Sequence, residues 1–241
     1  MTPSPQALVL DASAARDGRP APAVHQPSDA GSTDPELAVA ADPFGAKAEA
    51  FRELRSRLLL EALPESAPFT LAVVSAQPSE GRTYVAANLA AAFSQLGNRT
   101  LLIDADLRGA RLDRLFRVEG GTGLSHVLAG FADGEQALAR VPGLGQLWFM
   151  PAGALPPNPL ELLQRPAFET LLATMKEKFD HVILDTTAAS RGADCRVVAA
   201  RCTASLVLAR RNASPMAALE RLVEALERGS TRIAGVVMNE R

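Results

Sequence analysis

The sequence is short of cysteine, lysine and tyrosine, and these shortages exclude several kinds of protein. Its 241 residues include two cysteines, Cys195 and Cys202, which are too few for a disulfide scaffold. No Cys and His residues are spaced like the ligands of a zinc site, so we predict two small buried thiols. Lysine occurs at only three positions and the net charge is −2, so we expect no binding to nucleic acid.

Long hydrophobic runs are missing as well. The longest stretch without a charged residue, 141–160, contains five prolines and three glycines, which are incompatible with a membrane-spanning helix. The N-terminus lacks the basic region and the long apolar run of a signal peptide. We therefore expect a cytoplasmic protein without a membrane span, so that any association with a membrane would be peripheral.

Composition divides the chain near residue 42. Residues 1–42 are rich in proline, alanine, serine and aspartate and contain no aromatic residue, so we predict a disordered N-terminal tail. Residues 43–241 are expected to form one α/β domain. Apolar residues recur at helical spacing at the start of this domain, which predicts a helix from about 45 to 62 that Pro64 closes.

From residue 69 onward, short apolar runs alternate with amphipathic segments. The runs are continuously apolar, as expected for strands buried on both faces of a parallel sheet. This pattern predicts a doubly wound, mostly parallel α/β sheet. The predicted strands are 69–75, 100–104, 147–150, 181–185, 204–209 and 232–238, and the predicted helices are 82–97, 124–129, 133–140, 158–164, 166–178, 191–202 and 214–228.

The segment SAQPSEGRTY, residues 75–84, lies between the first predicted strand and the next helix. A phosphate-binding P-loop has the pattern G-x-x-x-x-G-K-[ST] in this context. Gly81 and Thr83 match it, whereas Arg82 replaces the lysine and Ala76 replaces the first glycine. Backbone N–H groups would face a bound phosphate, although an ordinary strand–turn–helix connection is the alternative. The predicted nucleotide-binding residues of this loop are Ser79, Glu80, Gly81, Arg82, Thr83 and Tyr84.

Acidic residues occur at the ends of two predicted strands. Asp104 and Asp106 belong to LLIDADLR, and Asp185 ends HVILD. Carboxylates at the carboxyl ends of strands, where ligands of open α/β sheets bind, would repel a triphosphate unless Mg²⁺ lay between them. One such aspartate is also a common helix cap, but three beside a P-loop predict a site for Mg-ATP. We assign metal binding to Thr83 and the three aspartates, and catalysis to Arg82 and the same aspartates.

Several segments resemble the bacterial tyrosine kinases of polysaccharide export, which share the P-loop NTPase fold with partition and cell-division ATPases. SAQPSEGRTY resembles the family's Walker A motif, LLIDADLR its acidic Walker A′ motif, and VILDT its Walker B motif. GLSHVLAG and LPPNPLELL are similar to further segments of this family. The resemblance covers residues 45–240 and is closest to the kinases found with exopolysaccharide chain-length determinants.

This resemblance implies transfer of the γ-phosphoryl group of Mg-ATP to protein tyrosine. It also implies a homo-oligomer and a transmembrane polysaccharide chain-length regulator as partner, contacted through the regulator's cytoplasmic segment. Arg108 would face phosphate and Asn239 would read adenine; the alternatives are a surface arginine and a turn residue. Glu49, Arg52 and Arg55 have the E-x-x-R-x-x-R spacing of the family's oligomerisation motif, although a solvated charged face would have the same spacing.

The sequence departs from the family pattern at positions that bear on catalysis. Arg82 stands where lysine is usual, and its wider planar head group alters the geometry around phosphate. No C-terminal tyrosine cluster is present and Tyr84 is the single tyrosine, so we expect the acceptor to be another protein. Gln77 replaces the second P-loop lysine of partition ATPases, which favours the kinase interpretation. The alternative is a nucleotide-dependent scaffold that binds the membrane regulator and phosphorylates nothing.

Overall fold

The computed structural model of the chain describes residues 36–63, 68–116, 121–229 and 231–240. The predicted tail as far as residue 35, and the predicted helix stop at Pro64, lie outside the described residues.

Helices and strands alternate along the described chain. The helices are α1 (Ala38–Ala41), α2 (Ala46–Arg57), α3 (Arg82–Ser94), α4 (Leu112–Phe116), α5 (Leu124–Ala129), α6 (Pro159–Gln164), α7 (Pro166–Lys178), α8 (Asp194–Ala200) and α9 (Met216–Glu227). The strands are β1 (Phe69–Ser75), β2 (Thr100–Asp104), β3 (Ala139–Arg140), β4 (Leu147–Met150), β5 (His181–Asp185), β6 (Ala204–Arg210) and β7 (Arg232–Asn239). A π-helical turn, Leu58–Ala62, extends α2, and 3-10 turns occur at Glu135–Ala137 and Ala189–Arg191.

In the part of the chain that the structure describes, seven strands form one sheet in the order β3-β4-β2-β5-β1-β6-β7. All neighbouring strands are parallel except β3 and β4. The six predicted strands are confirmed to within one residue at each end. The mostly parallel sheet predicted from the continuous apolar runs is therefore confirmed.

The hydrophobic core lies on both faces of this sheet. Along β1, Ala72 and Val74 face one side, whereas Leu71 and Val73 face the other. Helices α5 to α9 pack on the first side, and α1 to α4 pack on the second. Because both faces are covered, the strands β1, β2, β4 and β5 are buried at every position and carry mostly apolar side chains, which confirms the doubly wound arrangement.

The domain begins earlier than the sequence predicted. Residues 36–42 were assigned to the disordered tail, but α1 forms there and both Leu37 and Val39 are buried. The N–H of Val39 donates to the Asn88 side-chain oxygen on α3, at 3.1 Å. A run with two large aliphatic residues is too short to show helical periodicity, so its docking on α3 was not visible in the sequence.

Three predicted helices differ from the observed elements, and one of them, predicted over 191–202, is shortened to α8, Asp194–Ala200. The helix predicted over 133–140 is wrong, because a 3-10 turn and strand β3 occupy this segment, and pairing with β4 overrides the local helical preference. The Arg140 guanidinium lies over the Trp148 ring of β4, 5.5 Å from its centroid. The helix predicted over 82–97 ends at Ser94, before Gly97 adopts a φ of +83°. Strand β3 and helix α4 were not predicted.

The structure also bears on the two cysteines and on membrane-spanning segments. Cys195 and Cys202 are buried free thiols, as predicted, and burial raises their pKa to about 11 and about 12. Among the described residues, no helix combines the length and apolar character needed to cross a bilayer.

The sheet brings the predicted site together at one edge. Strands β2, β5 and β1 are adjacent and parallel, so their carboxyl ends lie side by side. Asp104 and Asp185 are register partners at the ends of β2 and β5, and the loop that follows Ser75 leaves β1 at the same edge. This is the edge where open α/β sheets bind ligands.

Candidate functional site

The loop between β1 and α3 has the backbone of an anion-binding turn. Gly81 precedes the first residue of α3 and has a φ of +96°, a conformation that side chains rarely adopt. A Cβ added there would also collide with the Asn239 side-chain nitrogen. The loop therefore needs glycine at this position, and it delivers the unpaired N–H groups of the α3 N-terminus to the carboxyl edge of the sheet.

Arg82 is buried and joins three parts of this edge. Its Nε donates to the Thr186 carbonyl at 2.8 Å, and its Nη1 donates to the Ser75 hydroxyl and, at 2.9 Å, to the Gln77 carbonyl. The side chain is 9% exposed and contributes to the lining of the cavity above the loop. The planar fork thus links the β1 end, the β5 end and the loop, which a single ammonium group could not do with the same geometry.

Thr83 and Asp185 meet directly, as a P-loop hydroxyl and a Walker B carboxylate would. The Thr83 hydroxyl donates to Asp185 Oδ2 at 2.6 Å. Asp185 is 1% exposed, and its Oδ1 is buried without a hydrogen-bond partner among the described residues. Burial raises the pKa of Asp185 to about 6, against the opposing effects of the Thr83 hydrogen bond and the Arg82 charge. A buried acceptor left unmatched beside a hydroxyl suits a hydrated cation.

Asp104 supports the loop that follows β2. Its Oδ1 accepts from the Asp106 N–H at 3.1 Å, and its Oδ2 accepts from the N–H of Leu112, at the start of α4, at 3.3 Å. Burial raises the pKa of Asp104 well above its usual range, and the neighbouring Asp185 charge raises it further. Asp104 does not line the cavity. Its predicted metal role stays a prediction, while its contacts indicate that it positions Asp106 and α4.

Asp106 is the acid that reaches the cavity. Its Oδ1 accepts from the Thr187 hydroxyl at 2.7 Å and from the Arg108 N–H at 3.2 Å. The side chain is 8% exposed and lines the cavity together with Thr83. Sequence reasoning missed Thr187, although its place two residues after Asp185 in VILDTT put a hydroxyl near the sheet edge.

The carboxylates alone do not form a metal cage. Among the described residues, no three His, Cys, Asp or Glu side chains are grouped closely enough to hold an ion. Mg²⁺ usually takes one or two protein oxygens and completes its shell with water and phosphate. Thr83, Asp106 and Asp185 fit that requirement.

Glu80 faces inward and braces the loop. It is 2% exposed, its Oε2 accepts from the Gln77 N–H at 2.8 Å, and its Oε1 accepts from the Ser214 hydroxyl. The Asn239 side chain donates to the Glu80 carbonyl at 3.1 Å and lines the cavity beside Gly81. Asn239 therefore lies beside the loop, where its predicted adenine contact remains a prediction.

Arg108 forms an ion pair within the chain. Its Nε pairs with Asp194 Oδ1 at 3.1 Å, and its side chain is absent from the lining of the cavity. The buried Asp194 carboxylate at the start of α8 thus holds the guanidinium, and the predicted phosphate-facing role of Arg108 stays a prediction.

A cavity of about 610 Å³ opens above the loop and the strand ends. Sequence reasoning missed most of its cationic residues. The arginines that line it are Arg82, Arg111, Arg114, Arg191 and Arg210. A larger groove of about 1160 Å³ lies between α5 and α7, but none of the P-loop or strand-end residues line it. The candidate site is therefore identified by its residues and not by the volume of its cavity.

The predicted oligomerisation residues make contacts within the chain. Arg52 pairs with Glu49 at 3.0 Å and donates to the Pro43 carbonyl, while Arg55 Nη1 donates to the Ala92 carbonyl on α3 at 2.6 Å. Burial lowers the pKa of Arg55. The Arg55 contact ties α2 to α3, whereas the Arg52 contacts lie within α2 and the segment before it; the intersubunit role stays a prediction.

Together, the doubly wound sheet, the glycine turn, and Thr83 paired with a strand-end aspartate define a P-loop nucleotide-binding protein. The chain belongs to the family of the CobQ/CobB/MinD/ParA nucleotide binding domain, whose model matches residues 71–240.

Several relatives of this chain, and some of the solved structures that it resembles, are named bacterial tyrosine kinases. Tyrosine-protein kinase wzc of Salmonella typhimurium is 32% identical over 205 residues, which are 85% of this chain but 28% of that protein. The kinase domain of Escherichia coli tyrosine kinase ETK is 32% identical, with a TM-score of 0.80, over 84% of this chain and 79% of that one. The chimerical protein CapA2B2 is 26% identical, with a TM-score of 0.80, over 93% of this chain and 95% of that one. The chain thus spans about a quarter of the length of curated relatives such as wzc.

Proposed function

We propose that this chain binds Mg-ATP and transfers its γ-phosphoryl group to a tyrosine of another protein. The observation that carries the proposal is the contact between the Thr83 hydroxyl and Asp185, with Asp106 at the same cavity. A P-loop hydroxyl, a Walker B acid and a second acid are what phosphoryl transfer needs for positioning and charge. The kinase names of the relatives support the same reaction.

The chain's own groups divide this work. Loop N–H groups around Gly81 and the α3 N-terminus bind the phosphates. Arg82 adds positive charge from below the loop, where its backbone contacts fix it. Thr83, Asp106 and Asp185 would hold Mg²⁺, which would neutralise charge on the phosphate oxygens when bound.

Asp106 also serves the acceptor. The Thr187 hydroxyl and the Arg108 N–H hold one of its oxygens, which fixes the carboxylate at the cavity. The acceptor tyrosine oxygen forms a bond to the γ-phosphorus while the bond to the β,γ-bridging oxygen breaks. ADP leaves, and the tyrosine proton passes to Asp106.

Tyr84 is a poor acceptor for its own nucleotide. It lies in the first turn of α3, half-buried, with its ring packed edge-on against Phe51 of α2 at 5.6 Å between centroids. Reaching a γ-phosphate would require this packing to break. The acceptor is therefore a second protein, and we propose the cytoplasmic segment of a transmembrane polysaccharide chain-length regulator, with the kinase acting as a homo-oligomer at the membrane.

The reaction is tested with γ-labelled ATP, Mg²⁺ and the regulator's cytoplasmic segment. We expect label on a tyrosine of that segment, and loss of the label with Asp106→Asn. Label released only as inorganic phosphate would make the chain an ATPase. ATP binding without any label transfer or release would instead favour the nucleotide-dependent scaffold.

A further inference from the structure

Four arginines form a rim around the mouth of the site cavity. We call Arg111, Arg114, Arg191 and Arg210 the arginine rim. All four residues are exposed, and among the described residues none of their side chains forms an ion pair or a hydrogen bond. Arginines elsewhere in the described chain are largely matched, for example Arg57 with Glu53 and Arg228 with Glu224.

The charge of the cavity is strongly one-sided. Five arginines line it, counting Arg82, against two acids, Glu36 and Asp106. The whole chain, by contrast, has a net charge of −2. Unmatched cations concentrated at one mouth of a weakly acidic protein indicate an anionic ligand at that mouth.

The nucleotide accounts for only part of this charge. The P-loop, Arg82 and Asn239 lie at the end of the cavity formed by β1, β6 and β7. Arg111 and Arg114 belong to α4 and its approach, which follow β2 on the opposite side of β5. The hydrogen bond from Leu112 to Asp104 ties this segment to the strand end next to Asp106.

Apolar groups accompany these arginines. Leu115 and Tyr84, both half-buried, line the cavity with Arg111 and Arg114. A guanidinium binds carboxylates through paired hydrogen bonds, and an adjacent apolar surface can take an aromatic ring. The combination suits a tyrosine flanked by acidic side chains.

We propose that the arginine rim, chiefly Arg111 and Arg114, binds carboxylates that flank the acceptor tyrosine, so that the substrate is an acidic peptide segment. This inference rests on the proposed kinase function. It names the class of substrate and the residues that select it.

Direct binding tests the inference separately from catalysis. The probe is a fluorescent peptide with one tyrosine among glutamates, and the comparison peptide has glutamine at each glutamate. Fluorescence anisotropy is measured on the full chain with Mg²⁺ and a non-hydrolysable ATP analogue. The rim variant is Arg111→Gln with Arg114→Gln, and the matched control is Arg57→Gln with Arg228→Gln, which removes two exposed arginines away from the cavity.

Exposed ion pairs each change affinity by a few-fold, so the rim variant should bind the acidic peptide about tenfold more weakly than the parent. The control variant should match the parent, and the analogue should bind the rim variant within about threefold of the parent. Equal binding of the two peptides by the parent would overturn the inference. The inference would also be overturned if the rim variant lost as much affinity for the ATP analogue as for the peptide, because the arginines would then bind the nucleotide.

Transfer of label to the peptides is measured in the same samples. Selective binding of the acidic peptide without any transfer would contradict the proposed kinase reaction while retaining the acidic subsite. Transfer to both peptides with equal KM would keep the kinase reaction and overturn the subsite.

Discussion

Replacing Arg82 tests whether an arginine in this P-loop is a structural part of the site as well as a phosphate ligand. The guanidinium bridges the Thr186 carbonyl, the Ser75 hydroxyl and the Gln77 carbonyl in a buried position. Arg82→Ala would remove the guanidinium from all three acceptors, of which only the Gln77 carbonyl keeps another donor among the described residues, the Ser75 hydroxyl. Arg82→Lys would keep the charge, but its ammonium cannot span the three acceptors with the same geometry.

The magnitudes follow from the number of bonds lost. Hydrogen bonds to a charged group contribute about 1.5–3 kcal/mol each, and losses within one network do not add fully. We expect Arg82→Ala to lower the free energy of unfolding by about 3 kcal/mol and Arg82→Lys by about 1–2 kcal/mol. Arg82→Lys should keep ATP affinity within about tenfold, roughly 1.4 kcal/mol, whereas Arg82→Ala should lose more.

Urea unfolding without nucleotide and calorimetric titration of ATP with Mg²⁺ measure the two effects. Arg57→Ala is the control, because Arg57 forms an exposed pair with Glu53 and should cost less than about 1 kcal/mol. If Arg82→Ala unfolds at the parent's urea midpoint, the bridging role is wrong. If it also binds ATP like the parent, Arg82 does not belong to the site.

Three further variants test other parts of the account. Burial lowers the pKa of His181 to about 4, so the unfolded state binds more protons than the folded state between about pH 6.5 and 4, and up to about 3 kcal/mol of stability should be lost as the pH falls through that window. In urea unfolding at pH 7 and 4.5, His181→Phe should lose less stability than the parent. Equal losses would show that His181 is not the group responsible. Arg52→Gln with Arg55→Gln should give smaller species in light scattering at low protein concentration, and an unchanged size at every salt concentration would favour a purely intrachain role. Tyr84→Phe should bind ATP within about threefold of the parent, and stoichiometric phosphotyrosine at Tyr84 in protein incubated alone with Mg-ATP would contradict an external acceptor.

Much of the fold could be predicted because its signals are local and repeated. Each central strand is buried on two faces, so continuous apolar runs marked the strands to within a residue. Strand β3 has two residues and depends on pairing with β4, so its segment carried no pattern of its own. Helix α1 depends on docking against Asn88 of α3, which is distant in sequence.

The proximity of the P-loop and the strand-end acids could be predicted because sequence position alone fixes it. The strand ends and the P-loop meet because β1, β5 and β2 are neighbours, so Thr83, Asp106 and Asp185 come together. The direction of long side chains was not predictable. Arg108 turns to Asp194, which lies far along the chain, and the cavity is lined by arginines whose positions depend on α4 and on turns without a motif.

Calorimetric titration of ATP with and without Mg²⁺ tests the central claim, that the strand-end acids and the P-loop form one Mg-nucleotide site. The parent should bind ATP more tightly with Mg²⁺, and Asp106→Asn and Thr83→Ala should each lose most of that dependence. Arg57→Gln should behave as the parent, because its pair with Glu53 is solvent-exposed. ATP binding that is indifferent to Mg²⁺, or that both site variants retain with the parent's Mg²⁺ dependence, would contradict the account.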